Sequence, residues 1–252
     1  MSNTVIVIPS KRKPPIITLS SYEIPEDLDV IIVTDPDVEH LHREFYEMDH
    51  RIRVFPGARG LGANKALCYN VAFECKFSYF FRMDDDLEPK TFISKDGRYP
   101  DLQEIIIRAA NCLTDTNTTL VGFHNGANRS WMSEGYGRTY GLVHGGATFS
   151  ISAPDGTKYI DPRLVRAEDV YRTCAHREER DGFVGRVKDI GFDKSKSTSI
   201  AGQSSVSTTP EQVMESMNIV LSRFPNMVTC DGTREIFGGK FEIANWRMRK
   251  GV

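Results

Sequence analysis

The chain has 252 residues, of which 40% are hydrophobic and 26% are charged, and its formal net charge is −2. These values are ordinary for a globular protein, and they exclude a long disordered tail, a collagen-like repeat and a small disulfide scaffold. The length suits one α/β domain or two small ones, and it is sufficient for a substantial hydrophobic core.

The charge is unevenly distributed along the chain. Residues 1–126 contain 14 Lys and Arg against 19 Asp and Glu, a net charge of −5, whereas residues 127–252 contain 18 against 15, a net charge of +3. The near-zero total argues against a protein that holds nucleic acid by its overall positive charge. It leaves room for a local basic surface in the second half.

The N-terminal segment and the cysteines indicate the cellular compartment. The apolar run at 5–8 ends at Pro9, whereas a signal peptide needs about 7–15 apolar residues and a membrane helix about 20. The five cysteines are widely spaced and form no CxxC pair. We therefore expect reduced thiols in a cytoplasmic protein, in the host cytoplasm if the protein is viral, with no membrane partner.

Strand and helix patterns alternate in the first part of the chain. Short β-branched or apolar runs predict strands, and helix-forming segments with suitably spaced apolar residues predict helices between them. The predicted strands are 5–8, 30–33, 51–55 and 77–83, the predicted helices are 37–49 and 63–73, and a loop is predicted at 56–62. This order predicts an α/β protein with a Rossmann-like, mostly parallel central sheet flanked by helices in a single compact domain.

The pattern continues in the second part of the chain. Residues 193–209 are rich in Ser, Thr, Lys and Gly, which predicts a mobile loop. A helix is predicted at 210–224, because Thr209 suits its N-cap, Pro210 its first position and Gln212 its third. The other predicted elements are helices at 101–113 and 168–180 and strands at 119–123 and 142–151.

Three adjacent aspartates follow the apolar strand at 77–83. Because neighbouring carboxylates repel one another, folding alone gives little reason for Asp84, Asp85 and Asp86 to follow a buried strand. Carboxylates bind Mg²⁺ or Mn²⁺, and such ions commonly join one or two of them to substrate phosphates. In an extended segment Asp84 and Asp86 face the same side, at the edge where such sheets bind ligands. A solvated acidic turn or a helix cap is the alternative.

The segment around these aspartates resembles the DxD segment of GT-A glycosyltransferases. FFRMDDDLEP at 80–89 carries the likeness, and IVTD at 32–35, VIPS at 7–10 and GLGANKAL at 60–67 resemble family motifs around the nucleotide sugar. The resemblance implies a GT-A fold with a donor-binding half at 1–90 and an acceptor-binding half at 91–252. The residues implied to bind the donor are Pro9, Ser10, Arg12, Asp35, Gly60, Gly62, Lys65, Asp84 and Asp85.

Other nucleotide-binding motifs are missing from the sequence. No GxGxxG follows the first predicted strand and no GxxxxGK[ST] occurs, so a Rossmann dinucleotide site and a P-loop are not expected. Many GT-A relatives have Arg where this chain has Lys65. In place of those motifs, a diphosphate sugar could be held by a cation on Asp86 and by Lys65.

The resemblance extends into the second half. GGA at 145–147 and AED at 167–169 resemble the acceptor-side glycine pair and the acidic helix start of the family. This implies that Asp169, with Glu168, supplies the catalytic carboxylate, which is a general base in inverting members. In retaining members an acidic residue at this position only positions the acceptor, and the sequence does not distinguish the two. The alternative is that both acids only interact with the helix dipole. The residues expected on the acceptor side are His144, Gly145, Gly146 and Trp131.

A divalent cation, Mn²⁺ or Mg²⁺, is the expected cofactor. The resemblance places Asp84 and Asp86 in its coordination shell, and His144 is the third expected ligand because two glycines follow it and allow close approach. His124 is a second candidate for the same role. Either histidine can instead be structural or solvated.

The acceptor is the least determined part of the reaction. Residues 8–14 and the FFRMDDD segment are similar to GT-A enzymes of bacteriophages associated with TET/JBP-type base hydroxylation. That resemblance implies a hydroxymethylated pyrimidine in double-stranded DNA, or a sugar already attached to one, and the donor is expected to be a UDP-sugar. Trp131, Tyr136 and Tyr140 in the glycine-rich loop 126–146 either stack on such a ligand or pack the loop.

Two other functions remain open at this stage. The first is a cytoplasmic glycosyltransferase that acts on a glycan, a protein or a small molecule. The second, from a different class, is a non-catalytic GT-A-like binding module, against which the intact acidic motifs argue.

Overall fold

Fully buried β-branched runs form the centre of the sheet. Residues 5–8 and 30–33 are at most 1% exposed. They lie in β1 (Thr4–Ser10) and β2 (Asp29–Thr34), which pair in parallel from Val5 opposite Asp29 to Ser10 opposite Thr34. Strands covered on both faces have continuous apolar runs rather than alternating ones, so these two strands were predictable from the sequence.

The computed structural model describes residues 3–193, 209–236 and 241–250. Within them, strands β1 and β2 are followed by nine more. These are β3 (Ile52–Pro56), β4 (Tyr79–Met83), β5 (Phe92–Ser94), β6 (Leu120–Asn125), β7 (Tyr136–Thr139), β8 (Ala147–Ile151), β9 (Val184–Phe192), β10 (Val228–Ile236) and β11 (Phe241–Met248).

Nine strands of the described ranges form one sheet in the order β3-β2-β1-β4-β8-β6-β9-β5, with β7 also paired to β9. The strands β5, β7 and β8 run antiparallel to their neighbours, and the other six run in one direction. The strands β10 and β11 form a separate antiparallel pair. The predicted α/β class with a mostly parallel central sheet is therefore confirmed.

Helices cover both faces of this sheet. Ile6 and Ile8 of β1 belong to one apolar cluster, and Val5 and Val7 belong to another, as the alternation of side chains along a strand requires. The first cluster includes residues of α4, and the second includes residues of α3, α5 and α6. The helices are α1 (Ile17–Ser21), α2 (Glu39–Phe45), α3 (Leu61–Glu74), α4 (Leu102–Thr116), α5 (Glu168–Glu179) and α6 (Pro210–Arg223).

Several predicted boundaries differ from the observed ones. The helix predicted at 37–49 is reduced to α2, and the strand predicted at 142–151 is reduced to β8, because the two glycines before Ala147 lie in a loop. The start of α6 is confirmed: the Thr209 N–H donates to Gln212 Oε1 over 3.0 Å, and the Gln212 N–H donates to Thr209 Oγ1 over 3.4 Å. The mobile loop predicted at 193–209 lies outside the described residues except for its two ends.

The parallel strands bring distant segments to one edge of the sheet. The strands β1, β2 and β4 end at Ser10, Thr34 and Met83, and the antiparallel β8 begins beside the end of β4, where Met83 pairs with Ala147. The carboxyl edge of such a sheet is the usual location of ligand sites. The loop after β1, the aspartates after β4 and the glycines before β8 therefore meet there.

The described ranges include no helix that is both long and apolar enough to cross a membrane. All five cysteines lie in these ranges, and none of them forms a disulfide. Burial raises the pKa of the Cys68 thiol to about 12, so this thiol is neutral. The expectation of thiols outside disulfides is met, and the cellular compartment stays a prediction.

His176 is an uncharged group on the buried face of α5. Its Nδ1 lies 2.8 Å from the Thr119 hydroxyl, its Nε2 lies 3.0 Å from the Tyr69 hydroxyl, and its ring stacks on Tyr159 at 4.2 Å. Burial holds its pKa well below 6.5, aided by the charge of Arg172. The folded protein therefore keeps this imidazole neutral where the unfolded chain would protonate it.

We predict that acidification destabilises the fold through His176. Below about pH 6.5 the unfolded state binds a proton that the folded state does not, so this residue lowers the free energy of unfolding by up to about 1.4 kcal/mol per pH unit. The slope should be smaller in His176→Gln, as measured by urea denaturation between pH 5 and 8. The exposed control His40→Gln should keep the wild-type slope, and equal slopes in both variants would contradict the assignment.

Candidate functional site

A buried threonine holds the aspartate turn after β4 in place. The Thr18 hydroxyl donates to the Asp84 carbonyl over 2.7 Å and accepts the Leu87 N–H over 2.9 Å. On the other side, the Asp84 N–H donates to the Gly146 carbonyl over 2.9 Å. The turn is therefore fixed between α1 and the segment before β8, although three adjacent negative charges oppose its folding.

The last residue of β1 and the loop after it contact two of the three aspartates. The Ser10 hydroxyl donates to Asp85 Oδ2 over 2.6 Å. The Arg12 Nη2 lies 3.3 Å from Asp86 Oδ2, and its Nε lies 3.5 Å from Asp85 Oδ1. Burial raises the pKa of Asp85, although the Ser10 hydrogen bond and the Arg12 charge act in the opposite direction. Asp86 is only 5% exposed, and its Oδ1 is buried without a hydrogen-bond partner.

Lys65 connects the two acidic motifs of the sequence. Its ammonium group, on a side chain buried within α3, lies 2.5 Å from Glu168 Oε1 and 3.9 Å from Asp84 Oδ1. Lys65 and Glu168 are 103 residues apart in the chain. The structure therefore brings the aspartate turn and the start of α5 to one cation, a pairing that the sequence did not predict.

The two acids at the start of α5 differ in their electrostatic environments. Burial raises the pKa of Glu168, but the ion pair and hydrogen bond with Lys65 outweigh it and hold this pKa below its ordinary value. The pKa of Asp169 is raised by burial and by the neighbouring charge of Glu168. Adjacent carboxyl groups with pKa values shifted in opposite directions are typical of separate roles in acid–base chemistry.

Two buried arginines hold the segment before β8 against this acidic pair. Arg82 and Arg172 are each 1% exposed. Arg82 donates to the Gly145 carbonyl, and Arg172 Nη2 lies 3.5 Å from the carbonyls of Val143 and His144. Neither arginine was predicted from the sequence as a site residue. The position of Arg82 within the apolar strand FFRM could have indicated a functional contact, because a buried charge requires a partner.

Several predicted donor residues lie at the ends of β1 and β2 and around the start of α3. The Asp35 N–H donates to the Ser10 carbonyl over 3.1 Å, so Asp35 lies next to the end of β1 with Pro9 and Ser10. Gly60 precedes α3 with φ of 105°, a conformation that favours glycine. A Cβ on Gly62 would lie 2.5 Å from the Asp161 carbonyl, so this glycine allows α3 to pack closely against the segment before α5.

The predicted acceptor residues lie in two places. At the first, His144 Nδ1 lies 3.9 Å from Asp169 Oδ2, and a Cβ on Gly145 would lie 3.3 Å from Glu168 Oε1. A Cβ on Gly146 would overlap the ring of Phe192. The second is the short helical turn Arg129–Trp131 after β6, where Trp131 is 75% exposed.

The remaining predicted residues, Tyr136, Tyr140 and His124, make their contacts away from the aspartate turn and the start of α5. Tyr136 lies in β7, and its hydroxyl donates to the Asp115 carboxylate. The ring of Tyr140 lies 5.3 Å from Lys250 Nζ. The half-buried His124 has its Nδ1 3.5 Å from the Gly126 carbonyl. These contacts match the packing alternative for the two tyrosines.

One carboxylate oxygen of the aspartate turn has surroundings that a divalent cation would fit. Across 3–193, 209–236 and 241–250, no group of three or more His, Cys, Asp and Glu side chains is placed to hold a metal ion. The unpartnered Oδ1 of Asp86 nevertheless fits a hard cation, and Mg²⁺ is commonly bound by only one or two carboxylates with substrate phosphates and water. The metal site, with His144 as its third ligand, stays a prediction.

Comparison with known structures supports the fold. Residues 1–349 of S. aureus TarS in complex with UDP-GlcNAc match this chain with a TM-score of 0.55 and 16% identity, over 89% of this chain and 67% of that one. The same TarS fragment in complex with UDP gives a TM-score of 0.52 and 15% identity, over 89% of this chain and 66% of TarS 1–349. The uncomplexed form gives 0.51 with the same identity and coverage as the UDP complex.

The likeness to TarS confirms the GT-A-like α/β fold of the chain. This chain spans 66% of the TarS 1–349 structure, and at 15% identity the likeness concerns the fold alone. No protein-family model and no curated protein is matched by the sequence.

We predict that Thr18 contributes to stability through the aspartate turn. Thr18→Val keeps the side-chain shape but leaves the Leu87 N–H without its acceptor, so the free energy of unfolding should fall by about 1–3 kcal/mol. Ser20→Ala is the control, because the Ser20 hydroxyl donates only to the Ile16 carbonyl one turn earlier in α1. Urea denaturation measures both variants, and equal small losses would show that Thr18 does not hold the turn.

Proposed function

We propose that this protein is a glycosyltransferase that moves a sugar from a nucleotide-diphosphate sugar to a hydroxyl group of an acceptor. The proposal is carried by the position of Lys65, whose Nζ lies 2.5 Å from Glu168 and 3.9 Å from Asp84. One cation thereby joins the carboxylates expected to serve the donor to those expected to serve the acceptor. The TarS complexes with UDP-GlcNAc and UDP support a UDP-sugar as donor.

Asp169 and Glu168 fit two different roles in this reaction. Asp169 takes the proton of the acceptor hydroxyl while the oxygen forms the new glycosidic bond and the bond to the diphosphate breaks. Its raised pKa suits a group that must accept a proton, and its side chain retains access to solvent. Glu168 is already bound to Lys65, so we assign it a positioning role.

The donor side provides positive charge for the leaving diphosphate. Lys65 Nζ lies 3.9 Å from Asp84 Oδ1 just after β4, so a diphosphate bound beside the aspartate turn would lie near this positive charge. Asp86, together with Asp84, would hold Mn²⁺ or Mg²⁺, which when bound neutralises negative charge on the leaving group. The unpartnered Oδ1 of Asp86 supports this part of the proposal. His144 contacts Asp169, which favours a place on the acceptor side.

For the acceptor, we propose a hydroxymethylated pyrimidine in double-stranded DNA or a sugar already attached to one. The proposal rests on the sequence resemblance and on the net charge of +3 in residues 127–252. The exposed Trp131, next to the exposed Arg129, offers a surface on which a sugar or a base could stack. A glycan, protein or small-molecule acceptor is the competing possibility.

A mass-spectrometric screen of nucleotide sugars against modified DNA and simple acceptors, with and without Mn²⁺, tests the reaction and its substrates together. We expect UDP-sugar turnover that requires Mn²⁺ and transfers a sugar to hydroxymethylated duplex DNA. That activity should fall steeply between about 50 and 200 mM salt, because phosphate contacts release counterions. Full activity on a free sugar with a flat salt profile would favour the competing acceptors, and UDP-sugar binding without turnover would favour a binding module.

We predict that Asp169→Asn lowers kcat by about 10²–10⁴-fold, because it removes the proton acceptor. Its affinity for UDP, measured by calorimetry, should stay close to that of the wild type. The adjacent Glu168→Gln is the matched variant, and because it breaks the ion pair with Lys65 it should weaken UDP binding as well as turnover. Wild-type kcat in Asp169→Asn would contradict the base assignment.

A further inference from the structure

Arg12 carries a positive charge that contacts two of the three aspartates after β4, Asp85 and Asp86. Its guanidinium reaches Asp85 with Nε at 3.5 Å and Asp86 with Nη2 at 3.3 Å. Both distances exceed the range of about 2.7–2.9 Å that is typical of a strong charge-assisted hydrogen bond. The arginine side chain is 38% exposed, whereas that of Asp86 is 7% exposed. The Arg12 guanidinium therefore lies on the solvent side of the buried Asp86 carboxylate and is loosely held.

The loop that carries Arg12 is fixed by α2 and by β1. The Arg12 N–H donates to Ser10 Oγ over 3.2 Å, and the Arg12 carbonyl accepts from Nε2 of the buried His42 over 2.7 Å. At the end of the loop, the Ile16 N–H donates to the Tyr46 hydroxyl over 2.9 Å. These hydrogen bonds hold the backbone of the loop in place. The guanidinium therefore lies beside the aspartates and moves by rotation about its side-chain torsions.

Asp86 is only half satisfied by this arrangement. Its Oδ2 contacts Arg12, whereas its Oδ1 is buried without a hydrogen-bond partner. Leaving a buried carboxylate oxygen unpaired is unfavourable, and a hard cation would satisfy it where the long guanidinium contact does not. A cation placed there would also lie within a few ångströms of Arg12 and would repel it.

We infer that Arg12 is a resident counterion that competes with a divalent cation for Asp86, and that it transfers to the donor diphosphate when the cation binds. This inference rests on the donor and metal site proposed above. In the absence of donor, Arg12 neutralises the aspartates and weakens the binding of the cation alone. A planar guanidinium pairs well with phosphate oxygens, so a cation that arrives with a nucleotide diphosphate gives Arg12 a new partner.

The inference predicts opposite effects of one substitution on two affinities. In Arg12→Gln, Mn²⁺ alone should bind about fivefold more tightly or better than to the wild type, because a repelling charge near the ion is gone. UDP at saturating Mn²⁺ should bind roughly tenfold more weakly, because a charged partner of the diphosphate is lost. Calorimetric titration of the full chain with Mn²⁺, and then with UDP, measures both.

Two control variants separate this effect from general ones. Lys13→Gln removes the same charge from the same loop at an exposed position, and it should leave both affinities near the wild-type values. Asp86→Ala should abolish Mn²⁺ binding in the wild-type and Arg12→Gln backgrounds. If Lys13→Gln tightens Mn²⁺ binding as much as Arg12→Gln does, the effect is one of net charge and the inference is wrong.

The remaining outcomes distinguish failure of the inference from failure of the proposed function. Unchanged Mn²⁺ affinity with weakened UDP binding in Arg12→Gln would make Arg12 a simple donor contact. Weakening of both affinities would make it a structural residue. Either result overturns the competition and leaves the proposed metal site intact. If Mn²⁺ binds to neither protein, even with UDP, the metal site itself is wrong and the inference falls with it.

Discussion

The site depends on a buried cation shared by acids from opposite halves of the chain. Lys65 pairs with Glu168 and lies near Asp84, and all three are largely shielded from water. Breaking a buried pair by removing one partner is strongly destabilising, because the remaining charge has no solvent to compensate it. Arg82 and Arg172 add positive charge beside the same carboxylates, and with Arg12 four cations face the acids of the aspartate turn and of α5.

The sheet determines which charges can meet in this way. Because β1, β2 and β4 are parallel, Ser10, Asp35 and Asp84 all emerge at one edge. The antiparallel β8 reverses the chain, so that the segment 143–146 returns to the same edge beside the start of α5. The loops after the parallel strands therefore carry residues that we assign to the donor, and the segment before β8 carries residues that we assign to the acceptor.

The fold class was largely predictable from the sequence, and the strands that were not predicted were missed for physical reasons. The buried runs of β1 and β2 were recognisable because both of their faces are covered, and the capping residues of α6 were recognisable because they act within one helical turn. The strand β9 was missed because charged residues such as Arg186 and Lys188 interrupt its apolar pattern. The strand β7 lies in a glycine-rich stretch that favoured a loop, and only its pairing with β9 makes it a strand.

Local pattern was therefore enough for the α/β class, the aspartate turn after β4 and the acidic start of α5, because each depends on residues adjacent in sequence. Pairing between distant charges required the folded chain. No spacing rule shows that Lys65 binds Glu168 rather than a solvent-exposed acid, that Arg12 lies on Asp86, or that Glu168 and Asp169 have opposite pKa shifts. Those properties depend on burial and on distances of a few ångströms between residues far apart in the chain, and only packing sets these.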